Sequence, residues 1–359
     1  MMVFSVAAYA SFWQTFRLDS YARSGGHTVF QLDLLPSPAL GHRFWEWVRI
    51  VDAKENLAQA PTVLSLPRLS QREVMAFADI IDVAPDTLGV RLHPLPDEVA
   101  PGLVADMSTG GALANGRIGG GSAPVDEIAA EARMRAWVRR TLAPTGSLKL
   151  CPYTASDALA GVRLESLGVS AAPVMHAVSD AAGAAGILAD VTSCIDRMVK
   201  GGEEATSSII MSAPAWDDRW EEWHRTIFPL LEETILACGL GRTVGVVCFH
   251  PAYAIPPPEF LARHRFGHMH GLSTLRAWLD EHEPELSLSA DNDDLRWAGA
   301  YMRRAPHAMI NVLWSRQLEA AETKRKSSKF YATNVARLLG EGRACLDRAA
   351  AEEQSVRLE

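Results

Sequence analysis

The chain has 359 residues, which is enough for two domains at roughly 100–200 residues each. Hydrophobic residues make up 48% and charged residues 22%, which is typical of a folded globular protein and excludes a largely disordered chain. The net charge of -8 excludes a protein that holds nucleic acid on a broad basic surface.

Residues 1–26 are rich in alanine, serine and aromatic side chains and have no acid before Asp19. Two interpretations stay open: a first amphipathic helix, or the remnant of a targeting peptide for a plastid or mitochondrion. The five cysteines are widely spaced and form no CxxC pair, which favours an intracellular reducing compartment. No apolar run reaches the roughly 18 residues of a membrane-spanning helix, so we expect no transmembrane segment.

Residues 1–100 are predicted to form an N-terminal α/β region. Residues 44–53 form a buried aromatic segment, which is either helical or extended. Ser70 followed by Glu73 is a capping-box pattern and marks the start of a helix. The pattern predicts a strand, this helix and a second strand over residues 61–66, 70–83 and 87–96.

Residues 101–124 are rich in glycine, which is typical of a linker or of a phosphate-binding loop. Neither phosphate-binding pattern, GxxxxGK[ST] or GxGxxG between a strand and a helix, fits this segment. We therefore predict a flexible linker here.

Strands alternate with long helices from residue 125 onward. The helices are predicted over 125–142, 180–199 and 215–239, and the strands over 172–179, 207–214 and 243–251. This alternation predicts an α/β fold with a small layered sheet of three or more strands, an N-terminal α/β extension and a C-terminal charged helix. The third strand is almost wholly apolar, so we expect it at the centre of the sheet.

The last part of this domain, which we place at residues 125–320, is expected to be helical over 297–319, with a break at Pro306. Residues 321–359 are predicted to be a charged helical tail. An arm that binds a partner protein is the alternative interpretation of this tail.

Three segments contain candidate catalytic or metal-binding residues. Cys151 begins a turn, where free backbone N–H groups favour a thiolate, and His250 ends a strand, where open α/β sheets bind ligands. The alternatives are a small core cysteine and a histidine bonded to a loop carbonyl. His268 and His270, near His264, have a spacing that suits a transition metal, although exposed loop histidines explain it equally.

Four motifs resemble a family of bacterial and algal proteins that is defined by a domain of unknown function. The four motifs are Trp137, Leu150–Tyr153, Cys248–Tyr253 and Arg303–Pro306, all within residues 128–320. They correspond to the family's W…LCPF, FHPxYxF and NRSPYPxxHLLRE segments. The resemblance implies a shared α/β fold and a shared site. The matching residues are Cys151, Pro152, His250, Pro251, Tyr253, Arg304 and Pro306. The departures from the family pattern are Arg303, His307, Asn311 and Trp314, with Asn311 in the place of a histidine.

The leading hypothesis is an enzyme-like site for a small anionic substrate at the carboxyl edge of a mixed or parallel sheet. Cys151 is its predicted nucleophile or soft ligand, His250 its base or second ligand, and Arg304 the anchor of the anion. The other predicted substrate-binding residues are Tyr253, Arg303, His307 and Asn311.

Two further hypotheses stay open. Because asparagine cannot transfer a proton near neutral pH, the chain is alternatively a non-catalytic subunit of an organellar complex, with partners bound through the N-terminal region and the tail. The third hypothesis is a metal-binding protein that uses Cys151, His250, His268 and His270. The sequence identifies no cofactor.

Overall fold

The structure is a computed structural model that describes residues 18, 28–52, 62–82, 90–96, 99, 101–107, 125–264, 267–323 and 327–354. It confirms the predicted α/β class, with two mixed sheets of four and five strands interspersed with helices. The chain divides into two compact units. The first comprises Met1–Gly121, Gly183–Asp196 and Pro229–Leu240, and the second comprises Ser122–Ala182, Arg197–Phe228 and Gly241–Glu359.

The first unit contains the four-stranded sheet. Its elements are β1 (Thr28–Gln31), α1 (Pro38–Asp52), β2 (Thr62–Ser65), α2 (Gln71–Asp82), β3 (Val90–Pro94) and β4 (Gly102–Met107). The strand order is β1-β2-β4-β3, with β1 parallel to β2 and β4 antiparallel to both of its neighbours. The predicted strand-helix-strand fragment is present as β2, α2 and β3, with β4 inserted between the two strands.

A local capping signal and ring packing account for α2 and α1. Ser70 and Glu73 form the predicted cap at the start of α2, because Glu73 accepts from the Ser70 backbone N–H at 2.7 Å. The aromatic segment at 44–53 is helical, as part of α1. The rings of Phe44 and Phe77 meet edge to face with centroids 5.1 Å apart, which joins α1 to α2.

The glycine-rich segment is the first correction. Residues 102–107 form the inner strand β4, whereas a flexible linker was predicted over 101–124; residues 108–124 lie outside the described residues. A Cβ atom on Gly102 would lie 2.5 Å from the carbonyl oxygen of Leu64. This glycine therefore allows β4 to approach β2 closely. The sequence alone does not distinguish a glycine with this role in a strand from a glycine in a linker.

The second unit contains the five-stranded sheet. Its strands are β5 (Leu159–Ala160), β6 (Ala172–Val178), β7 (Ser208–Ser212), β8 (Val244–Phe249) and β9 (Met309–Trp314), in the order β5-β6-β7-β9-β8. β6 and β7 are parallel, whereas β9 is antiparallel to β7 and to β8. The carboxyl ends of β6, β7 and β8 therefore share one edge with the start of β9.

The helices that follow β4 are, in chain order, α3 (Glu127–Trp137), α4 (Ala184–Gly201), α5 (Trp220–Glu222), α6 (Phe228–Ala237), α7 (Pro258–Leu261), α8 (Leu272–His282), α9 (Pro284–Ser289), α10 (Asn292–Tyr301), α11 (Ser315–Thr323), α12 (Ser327–Glu341) and α13 (Arg343–Gln354). The predicted helix over 125–142 is α3 with a π-helical extension, Val138–Leu142. The single helix predicted over 215–239 is instead a 3₁₀ turn, Pro214–Trp216, followed by α5, a π-helical stretch and α6.

The strand order requires two further corrections. The apolar strand expected at the centre is β8, which lies at the edge of the sheet, where Gly267 pairs with it through an isolated bridge. β9 occupies an inner position instead. It is a strand, although it lies within the 297–319 segment that was predicted to be helical. A six-residue apolar run can be either strand or helix, and its pairing partners here lie far away in sequence.

The C-terminal tail is the last correction to the fold. It consists of α12 and α13 rather than one charged helix, and α12 has an apolar face. Ala332, Val335 and Leu338 on that face are buried. α12 is therefore part of the body of the second unit.

One face of the five-stranded sheet packs against α3. Trp137 contacts Phe249 edge to face, with ring centroids 5.1 Å apart, and its Nε1 donates to the carbonyl oxygen of Arg304 at 3.0 Å. Met134, Ile210 and Met309 belong to the same buried cluster. This packing positions the chain between α10 and β9, which contains the predicted anion-binding arginines.

Candidate functional site

A cavity of about 460 Å³ lies in the second unit, on the same face of the five-stranded sheet that packs against α3. Ser208, Val247, Phe249, Asn311 and Leu313 form its floor. Its walls come from α8, α11, α12, the turn that precedes β5, and the chain just before α8 and just after α10. They include Leu150, Cys151, Tyr153, His270, Trp278, Met302, Arg303, Gln317, Glu322, Phe330, Tyr331 and Asn334, of which Glu322 is exposed. Most of these side chains are apolar, which is usual for a small-molecule site.

The alternation of β9 explains the floor. Asn311 is paired with Ile210 of β7 and with Val247 of β8, so its side chain faces the cavity from the inner part of the sheet. Its Oδ1 is buried without a hydrogen-bond partner in the described part of the chain. Of the predicted substrate-binding residues, Asn311 therefore lines the cavity.

Arg303 is the one arginine or lysine among the described residues that line the cavity. It is half-buried, and its guanidinium carbon lies 5.4 Å from the centre of the Phe249 ring. No carboxylate of the described residues lies within ion-pair distance of it. Together with the stronger effect of desolvation, its charge lowers the pKa of His270 to about 4. His270 is partly exposed, and its ring packs against Trp278 and Tyr331.

Cys151 lies half-buried on the cavity wall, in a turn that α12 holds in place. Asn334 donates from Nδ2 to the carbonyl oxygen of Leu150 at 3.0 Å, and Arg337 donates to that of Leu148 at 2.7 Å. In the described ranges, no imidazole hydrogen-bonds to the Cys151 thiol. The structure thus brings Cys151 into one cavity with Arg303, Asn311 and His270, without a hydrogen bond from the described histidines to the sulfur.

His250 does not line this cavity, so the structure does not pair it with Cys151. It is fully buried, its Nε2 donates to the carbonyl oxygen of Trp216 at 2.9 Å, and its Nδ1 accepts from the Ala252 N–H at 3.0 Å. Burial lowers the pKa of this imidazole, which keeps it neutral. These contacts match the alternative of a histidine bonded to a loop carbonyl, and they correct its predicted role as the base.

Arg304 is also outside the cavity. It lines a separate cleft of about 210 Å³ together with Arg140 and Tyr301, and its Nε is buried without a partner among the described residues. Of the two adjacent arginines, the structure therefore places Arg303 in the cavity and the predicted anchor Arg304 outside it.

Tyr253 and His307 support the fold around the site rather than lining the cavity. The hydroxyl of Tyr253 accepts from the Met269 N–H at 2.8 Å, and burial raises its pKa. His307 donates from Nδ1 to Oδ2 of Asp217 at 2.8 Å. Their predicted contact with a substrate in the cavity is thus a further correction.

The loop histidines do not form the predicted metal site. No group of three His, Cys, Asp or Glu side chains that could hold a metal ion occurs among the residues that the structure describes. Both ring nitrogens of His268 lack partners and are sealed from solvent, among the rings of Phe228, Tyr253 and Phe260. Desolvation lowers the pKa of His268 to about 3.

Several cavity residues were not predicted from the sequence. Trp278, Tyr331 and Asn334 come from helices that have charged outer faces, and two of them lie in the tail. The sequence does contain one signal, because Tyr331, Asn334, Val335 and Leu338 recur at helical spacing and indicate an inward face.

Comparisons of the chain with protein-family models, curated proteins and solved structures give no match. The resemblance to the family with LCPF and FHPxYxF segments therefore stays a prediction. None of the helices in the described ranges combines the length and apolar character needed to cross a membrane.

Proposed function

We propose that this protein binds a small amphipathic anion in the cavity on the five-stranded sheet. The observation that carries this proposal is Arg303, whose guanidinium lines a mainly apolar cavity and has no ion-pair partner among the described residues. The ligand's anionic group pairs with Arg303, while the apolar walls bury the rest of the ligand.

A guanidinium favours this class of ligand for two reasons. Its planar fork matches a carboxylate or phosphate in a bidentate geometry, and it is weakly hydrated, so it is readily desolvated. The apolar walls strengthen such a contact because they exclude competing water. The Arg303 guanidinium also lies against the Phe249 ring, which fixes its position through a cation–π contact.

The cavity volume limits the size of the ligand. The volume of about 460 Å³ lies within the roughly 300–1,000 Å³ that is usual for small-molecule sites. Medium-chain and aryl-substituted carboxylic acids are of this size, and they combine one anionic group with an apolar body.

Binding is better supported than catalysis by Cys151. A cysteine nucleophile needs a base or another means of stabilising its thiolate, and the described residues place no imidazole in contact with the sulfur. The predicted organellar location and non-catalytic subunit both remain compatible with a binding cavity.

Calorimetric titration with decanoate and with methyl decanoate tests the proposal. We expect decanoate to bind at least about tenfold more tightly than the ester, because a charge-assisted hydrogen bond contributes roughly 1.5–3 kcal/mol. Arg303→Met should lose that difference. Arg304→Met is the matched control, since the neighbouring side chain lines a different cleft, and its affinity should stay within about twofold of the unmodified protein. Equal losses in the two variants, or equal binding of acid and ester, would contradict the proposal.

A further inference from the structure

Asn311 is the one polar side chain on its face of β9, a strand that the structure describes in full. Met309 and Leu313 share this face and are apolar, and the paired residues across the sheet, Ile210 and Val247, are apolar as well. Asparagine is disfavoured in strands, and here it occupies an inner strand of a sheet. Neither packing nor strand propensity accounts for this amide.

The hydrogen bonds of two asparagines in this cavity differ. Asn334 donates to the carbonyl oxygen of Leu150 and so stabilises the turn with Cys151. The amide of Asn311 has no hydrogen bond to any described residue, and its Oδ1 is sealed from solvent. A carbonyl oxygen that is desolvated without a partner opposes folding, so the stability of the fold does not explain Asn311.

The orientation of the amide indicates what it can recognise. Oδ1 is the sealed end of Asn311, so Nδ2 is the end that opens toward the cavity. Nδ2 is a hydrogen-bond donor, and the guanidinium of Arg303 has only donors. Both polar groups of this part of the cavity therefore require oxygen acceptors on the ligand.

We infer that the ligand is an oxygenated amphipathic acid, whose anionic group pairs with Arg303 and whose body has a carbonyl or hydroxyl oxygen that accepts a hydrogen bond from Asn311. This inference rests on the proposed function and narrows its ligand class. A plain saturated acid would cover the Asn311 amide without giving it a partner. A cavity built this way discriminates against ligands that lack the oxygen.

Titration of the unmodified protein with decanoate and with a set of oxodecanoates tests the inference directly. The oxodecanoates differ in the position of the oxo group along the chain, so that one of them places its oxygen at the amide. We expect the best member to bind about fivefold to tenfold more tightly than decanoate. This comparison needs no substitution and is therefore independent of any folding defect.

Asn311→Leu removes the amide and keeps the number and branching of the side-chain non-hydrogen atoms. The variant should bind decanoate at least as tightly as the unmodified protein does and should lose the preference for the oxo group. Its melting temperature should rise, because an unpartnered polar group is replaced by an apolar one. Asn334→Leu is the stability control, and its melting temperature should fall because it leaves the Leu150 carbonyl without its donor.

The outcomes separate this inference from the proposed function. Binding of decanoate that depends on Arg303, with no oxodecanoate preferred, would overturn the inference and leave the proposed function intact. A preference for one oxodecanoate that persists in Asn311→Leu would also overturn the inference. Failure of every acid to bind would overturn both.

Discussion

One carboxylate, that of Asp217, accepts two hydrogen bonds at the start of β9. Its Oδ2 accepts from Nδ1 of His307 at 2.8 Å, and its Oδ1 accepts from the Ala308 N–H at 2.7 Å. Asp217 follows the 3₁₀ turn after β7, whereas His307 and Ala308 immediately precede β9. The carboxylate therefore fixes where β9 begins, and with it the register that directs Asn311 into the cavity.

Asp217→Ala should destabilise the protein by about 2–4 kcal/mol, because it leaves two buried donors without an acceptor. Chemical denaturation measures this loss. Asp218→Ala is the matched control, since Asp218 is the exposed neighbour and its replacement should change the free energy of unfolding by less than about 0.5 kcal/mol. Similar losses in both variants would show that the two hydrogen bonds do not stabilise β9.

Cys151 should be the one thiol whose reactivity depends on the cavity ligand. Cys194, Cys238 and Cys248 are buried, Cys345 is exposed, and Cys151 is half-buried on the cavity wall. Iodoacetamide should therefore modify Cys345 and, more slowly, Cys151 in the folded protein. A bound acid should slow the modification of Cys151 alone, as measured by peptide mass spectrometry at each cysteine. Equal protection of Cys345 would contradict binding in this cavity.

Sequence patterns predicted the elements whose signals are local. The capping box at Ser70 and Glu73 marks the start of α2, and apolar runs marked β6, β7 and β8. Each of these signals lies within about ten residues and needs no distant partner. The resulting prediction of an α/β fold is therefore correct, whereas the order of the strands depends on long-range pairing that such patterns do not contain.

Local sequence patterns also do not determine which single residues line the candidate site. Arg303 and Arg304 are adjacent and identical in chemistry, yet they line different openings because the chain turns between α10 and β9. Similarly, Asn311 faces the cavity only because β9 is a strand, and the segment was predicted to be helical. His250 has both ring nitrogens bonded to the backbone, which is a tertiary feature that a motif cannot indicate.

The protein should lose stability in mild acid through His268. The pKa of His268 is lowered from its ordinary value to about 3, first by desolvation and then by the charge of neighbouring groups. The unfolded chain, with a histidine pKa near 6.5, binds a proton that the folded chain excludes, so stability falls as the pH drops below about 6.5. Between pH 7 and pH 5, this one group accounts for about 2 kcal/mol.

His268→Phe removes the titrating group while keeping a ring among Phe228, Tyr253 and Phe260. Urea denaturation at pH 7 and pH 5 should show a smaller loss in this variant by about 2 kcal/mol. An unchanged difference between the two pH values would mean that other groups cause the acid sensitivity.

Removal of the tail should abolish ligand binding, because α12 forms a wall of the cavity. Phe330, Tyr331 and Asn334 line the cavity from this helix, and Arg337 and Asn334 hold the turn of Cys151. A chain that ends at residue 323 should therefore unfold at a lower temperature and bind no decanoate. A chain that ends at residue 341 is the matched control: it lacks residues 342–359, which include α13, and no described residue of that stretch lines the cavity. It should keep its affinity despite a smaller loss of stability from Leu346, which is buried. If the shorter chain remains folded and still binds the acid, α12 is not a necessary wall of the binding site.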